Sequence, residues 1–136
     1  MLASGALKNH FGTLRFGDGH LIPEYLHPPI IHNSIADINS NRQLVEKTRL
    51  IVMDALFGRH SKKGGAPEKW MIFNKNSPNR LFFSKDSVAI DSVTSSLVKE
   101  ELNLSGEKPL SDEYLRLSQE AGVGNFTSIV FIEIEA

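Results

Sequence analysis

Four consecutive apolar residues, Leu50-Ile51-Val52-Met53, stand between Arg49 and Asp54 without any alternation of polar and apolar positions. Such a run is what a strand buried on both faces of a sheet requires, and covering both faces takes packed helices. Helical signals lie on either side of it. Upstream, Ile31, Ile35 and Ile38 follow Pro28-Pro29 at the spacing of one helical face. Proline suits a first helical turn, where a missing N–H costs nothing, so a helix is expected over 29–45. Downstream, Ile90, Val93, Leu97, Val98 and Leu102 share one broad face of a helix running from Ser84 or Asp86 to about Asn103. Acidic Asp86 suits the positive end of that helix dipole. A further helix is expected from Ser111, a serine N-cap, to Ala121, where Gly122-Val123-Gly124 stops it.

Trp70-Met71-Ile72-Phe73 and Arg80-Leu81-Phe82-Phe83-Ser84 read as two more strands, joined by an Asn/Ser/Pro turn at 74–79. Ser128–Glu135 reads as a last strand, alternating at its end and so moving toward a sheet edge. Residues 1–28, rich in glycine, histidine and turn signals, read as loop with short extended pieces, and residues 58–69 read as a loop. Strands and helices therefore interleave, and the expected fold is a single α/β domain over residues 1–136. It has a mixed sheet of about four strands with about three helices.

At 136 residues, 40% hydrophobic and 23% charged, the chain has the composition of a globular domain. It contains no cysteine, which excludes an iron–sulfur cluster, a thiolate zinc site and a disulfide within it. No apolar run approaches the roughly 18 residues of a membrane span, and Met1–Gly5 lacks the basic flank and apolar stretch of a signal peptide. A soluble, cytoplasmic protein without a membrane partner is expected. Residues 1–85 hold 12 Lys/Arg against 6 Asp/Glu, and residues 86–136 hold 3 against 10. The basic residues are scattered and lack interleaved aromatics, which argues against nucleic acid. The split suits two faces that pair with each other or with a second subunit.

Three places carry candidate chemistry. The loop Gly58-Arg59-His60-Ser61-Lys62-Lys63-Gly64-Gly65 combines flexible backbone with fixed positive charge, as an anion site would, though it fits neither a P-loop nor a dinucleotide fingerprint. A solvated basic loop is the plainer reading. On a helical wheel Asp91 falls between Val98 and Leu102, on the apolar arc, where an unpaired carboxylate is costly. It must have a partner: a metal, a ligand donor, an arginine, a hydroxyl or backbone N–H groups. If strands 49–54 and 80–84 lie side by side and parallel, Asp54, Asp86 and Asp91 approach one sheet edge and suit Mg²⁺, Ca²⁺ or Mn²⁺. Finally, four of five histidines crowd into residues 10–32, and His10 and His20, each near a glycine, are the preferred pair of metal ligands. Their spacing matches no metal motif. No nucleophile elbow or catalytic cysteine is present, so acyl transfer has no support and enzyme status stays open.

Taken in order, Ala6-Leu7-Lys8-Asn9-His10-Phe11-Gly12, His20, Ile35-Ala36-Asp37-Ile38, the strand ending in Asp54, Gly64-Gly65-Ala66-Pro67, Asp86-Ser87-Val88-Ala89-Ile90-Asp91 and Ala121-Gly122-Val123-Gly124 resemble the C-terminal half of the domain of unknown function 362 family. The Lys-Asn-His-Phe-Gly and Asp-x-Val-Ala-x-Asp elements carry most of the likeness. The family has no established reaction. The resemblance implies that Lys8, Asn9, His20, Asp37, Asp54, Asp86 and Asp91 occupy the family's polar positions, and that the chain is a fragment of a longer family domain. Many members carry ferredoxin-type segments, which this cysteine-free chain lacks. The resulting expectation is a domain binding a small anionic ligand through Lys8, Asn9, Lys63, Gly64 and Gly65, or a divalent metal through Asp54, Asp91, His10 and His20, at a sheet edge. The alternative is a non-catalytic assembly module, completed by a second polypeptide or by homodimerisation.

Overall fold

The computed structural model describes residues 5–13, 27–60 and 65–135. Helix α1 spans Ala6–Asn9 and runs into a 3₁₀ turn at His10–Thr13; α2 (Ile31–Asn39) and α3 (Arg42–Lys47) follow. Strand β1 (Ile51–Ala55) leads to a 3₁₀ turn at Met71–Phe73 and then to strand β2 (Arg80–Ser84). Helices α4 (Ser87–Leu104) and α5 (Glu113–Glu120) complete the order. The described residues thus form a mixed helix-and-sheet unit, with five α-helices and a two-stranded antiparallel sheet.

Helix α4 begins where its sequence says it should. Asp86 leaves the helical conformation at φ −113°, and its Oδ1 accepts from the N–H groups of Val88 and Ala89, both at 2.9 Å. Two of the unsatisfied donors of the first turn are thereby paired. The other oxygen, Oδ2, accepts from the Asn125 N–H at 2.8 Å, so one cap also fastens the segment after α5. The cap of helix α5 falls one residue later than expected: Ser111 accepts from the Glu113 N–H, but Asp112 holds the cap position and turns its carboxylate to Lys99 and Ser95 instead. Its end is as the glycine predicts. Gly122 takes φ +75°, a left-handed value that costs glycine nothing, and the Val123 N–H returns to the Ser118 carbonyl.

The core is built by helices. Leu7 and Phe11 from the N-terminal turns meet Ile31 and Ile35 of α2, Val88 of α4, and Tyr114 and Leu115 of α5. Fully burying one such side chain is worth roughly 1.5–3 kcal/mol, so this seven-residue cluster is the main cohesive element. A buried amide fixes its geometry: Asn39 donates to the Leu7 carbonyl at 2.7 Å and to the Ile35 carbonyl at 2.8 Å.

Several expectations are corrected. Residues 6–13, read as loop, hold α1 and a 3₁₀ turn, and among the described residues five α-helices stand where about three were expected. The helix over 29–45 is two helices. Asn41 takes ψ 119° and its side chain accepts from the Gln43 N–H at 2.9 Å, so the polar run Asn39-Ser40-Asn41 competes with the helical backbone and restarts it. Residues 70–73 are not a strand, because the N–H groups they would offer a ladder are taken. Glu101 of α4, almost wholly buried, accepts from Met71 at 2.9 Å and Ile72 at 3.0 Å. The chain then reverses through Asn74 and Lys75, at φ 53° and 61°. Residues 128–135 form no strand either; Val130, Ile132 and Ile134 stand exposed, and the segment is held beside β2 by the Arg80–Glu133 ion pair and the Phe131–Phe82 ring contact. The sheet therefore has two strands where about four were expected.

Strand β1 is also not covered on both faces. Its residues alternate, with Val52 56% exposed and, across the ladder, Phe83 63% exposed. Among the described residues one face packs, through Phe82, onto the helical layer. The helices that a doubly covered strand needs lie on one side here.

Candidate functional site

Antiparallel pairing decides which residues can meet. Ile51 lies opposite Ser84 and Asp54 opposite Leu81. Asp54 and Asp86 consequently sit at opposite ends of the ladder, and the carboxylate group that parallel strands would have assembled does not form. Continuing the register past Ile51 brings Leu50 beside Lys85, so basic residues at the start of β1 and the end of β2 share one end of the sheet.

A cavity of about 710 Å³ opens along the edge of β1 that no strand pairs among the described residues, between β1, α1 and the end of α3. Asn9 and His10 line it from the N-terminal turns, Lys47 and Arg49 from the approach to β1, Asp54 from the strand and Lys85 from the end of β2. None of the three cations has an ion-pair partner among the described residues. His10 contributes a second observation, since its buried Nδ1 has no hydrogen-bond partner among them. Asp54, exposed at the cavity wall, accepts from the Leu56 N–H at 2.8 Å, a local turn that leaves its other oxygen to solvent.

Asp91 has a different task. It is fully buried on α4, and its two oxygens accept from the N–H groups of Ala6 at 2.6 Å and Leu7 at 3.1 Å. The partner demanded by the apolar wheel position is therefore backbone, and the carboxylate caps the free donors of α1. Burial pushes its pKa up to about 7, against the lowering effect of those two bonds. Gly5 makes the approach feasible: a Cβ there would lie 2.7 Å from Asp91 Cγ.

Of the residues expected to bind, Asn9, His10 and Asp54 come together at the cavity. Asp91 lies behind it, occupied by amides, while Lys8 sits on α1 without lining it. Gly65, at φ +125°, lies on the exposed loop away from the cavity. His20, Lys63 and Gly64 lie outside the described residues. Lys47, Arg49 and Lys85 were missed by the sequence reading. Their signal was position, directly before a strand and directly after one, but only the antiparallel register joins those positions. Among the described residues, no group of three or more His, Asp or Glu is placed to hold a metal ion, and no helix is long and apolar enough to cross a membrane.

A mixed helix-and-sheet unit with a basic cavity at an open strand edge is the class that these features define. The family model described as domain of unknown function, DUF362, matches residues 1–96, more than two thirds of the chain. The chain belongs to the domain of unknown function 362 family. The match takes in α1, both strands and the first half of α4, and thus every residue named at the cavity. Comparison with curated proteins and with solved structures gives no match.

Proposed function

We propose that this family domain binds a small anionic ligand at the edge of β1. The observation that carries the reading is the convergence of Lys47, Arg49 and Lys85 on one cavity without ion-pair partners among the described residues. Three fixed positive charges outweigh the single carboxylate of Asp54. Asn9 supplies an amide that can donate to an oxyanion. A divalent metal at the same edge would find Asp54 and His10 as ligands, but the surrounding cations disfavour it, so the anion is the stronger of the two.

Inorganic phosphate is the first probe. A ligand that binds only the folded chain stabilises it by roughly 2.7 kcal/mol at a hundredfold excess over its Kd, and a thermal melt should show a saturable rise in Tm. Arg49→Ala and Lys85→Ala should each weaken binding about tenfold, as loss of one charge-assisted hydrogen bond does. A melt indifferent to phosphate, or a rise unchanged in both variants, would refute the reading.

A second reading is favoured by the open face of the sheet. Leu81, Phe83 and Val52 form an exposed apolar patch beside a strand edge left unpaired among the described residues, and such surfaces are ordinarily covered. In this reading a second copy or another polypeptide completes the sheet. Light scattering across a concentration series should then show association that Phe83→Lys reduces; a monomer at every concentration counts against it for homodimerisation.

A further inference from the structure

The cavity at the edge of β1 is larger than an inorganic anion needs. At about 710 Å³ it falls within the range of roughly 300–1,000 Å³ that holds organic ligands. Its wall is not uniformly polar either. Val45, Leu50 and Val52 line it alongside Lys47, Arg49 and Lys85. All three apolar side chains can be reached from solvent: Val45 is 47% exposed, Leu50 59% and Val52 56%. The three cations are exposed as well. A molecule entering the cavity therefore meets both kinds of group directly.

Strand geometry sets these groups out in order. Lys47 and Arg49 precede β1, and Lys85 follows β2 at the same end of the ladder, where Ile51 lies opposite Ser84. Asp54, the one carboxylate in the cavity lining, stands three residues on from Ile51, about 10 Å at the rise of a strand. Val52 lies between the two ends, on the face of β1 that Asp54 shares. An anionic head is thus drawn to the basic end and kept from the other, and whatever is attached to it lies against apolar side chains. Three cations less one carboxylate leave a charge of +2, which matches a phosphate monoester at about −1.5 to −2 near pH 7.

Resting on the anion reading of this cavity, we propose that its ligand is a phosphate monoester of a small apolar alcohol or phenol. The phosphate sits among Lys47, Arg49 and Lys85, and the apolar body covers Val45, Leu50 and Val52. Inorganic phosphate fills the basic end alone and leaves those side chains in water. A ring attached to it removes their surface from water, so the ester binds at least about tenfold more tightly than the bare ion.

Calorimetry with inorganic phosphate, phenyl phosphate and benzyl alcohol provides the test. Phenyl phosphate should bind at least about tenfold more tightly than phosphate, and benzyl alcohol, which keeps the ring without the charge, should give no saturable response. Arg49→Ala should weaken both phosphates alike, by about tenfold. The double variant Leu50→Thr, Val52→Thr changes two exposed sites and suits a strand, so the fold is kept. It should bring phenyl phosphate close to the affinity of phosphate and leave phosphate itself unchanged. Equal affinity of the two phosphates for the wild-type chain overturns the inference but leaves the anion reading standing. So does an advantage of phenyl phosphate that survives in the double variant, or benzyl alcohol binding as tightly as phenyl phosphate. Silence with both phosphates removes the anion reading and this inference together.

Discussion

Between about pH 4 and pH 7 the protein is expected to lose stability as the pH rises, by on the order of 4 kcal/mol through Asp91 alone. The pKa of this carboxyl is 3.8 when free and about 7 in the folded chain. Across that window the native state holds a proton that the unfolded state has released, so acidification favours folding. The contribution is complete below the unfolded value and lost as the pH passes the folded one. Burial is the cause: α4 and the core surround the carboxylate, and two backbone N–H groups do not replace the water it leaves. Asp91→Asn isolates the effect. Asparagine has one acceptor oxygen, so one of the Ala6 and Leu7 amides goes unpaired, and the variant should be the less stable at pH 4. By pH 7 the gap should close or invert. Denaturant midpoints across this range would measure it; parallel curves would show that Asp91 titrates as an ordinary exposed carboxyl.

Gly5→Ala is expected to destabilise the chain by about 3 kcal/mol. Backbone strain plays no part, because Gly5 sits at φ −119°, open to any residue. The cost is steric. A Cβ would lie 2.7 Å from Asp91 Cγ, and that carboxylate cannot retreat without abandoning the Ala6 and Leu7 amides. A double-mutant cycle makes the claim specific: on an Asp91→Ala background, Gly5→Ala should cost less than about 1 kcal/mol, because the atoms it strikes are gone. Additive losses in urea unfolding would instead mean that Gly5 is sensitive for a reason unrelated to the cap.

These two expectations concern residues whose importance was unequally visible. Asp91 announces itself by a carboxylate on an apolar helical arc, but Gly5 carries no such signal. It matters because a residue more than eighty positions away reaches its backbone. The same contrast runs through the candidate site. Asn9, His10 and Asp54 could be singled out by type and neighbours, whereas Lys47, Arg49 and Lys85 acquire a role only when β1 and β2 are seen to run antiparallel.

What the sequence determined by itself is what neighbouring residues decide among themselves. Helix α4 with its Asp86 cap, the stop at Gly122, strands β1 and β2, and the turn after Phe73 follow from periodicity, short apolar runs and side chain–backbone bonds a few residues long. The tertiary structure decided where distant groups compete for the same backbone. Met71 and Ile72 have the residues of a strand, yet Glu101, some thirty residues on, takes their N–H groups and leaves a turn. The Asp91 carboxylate has the chemistry of a metal ligand, yet it caps α1. A buried donor must be satisfied by whatever acceptor the packed chain brings to it, and that choice is made only after the helices have met.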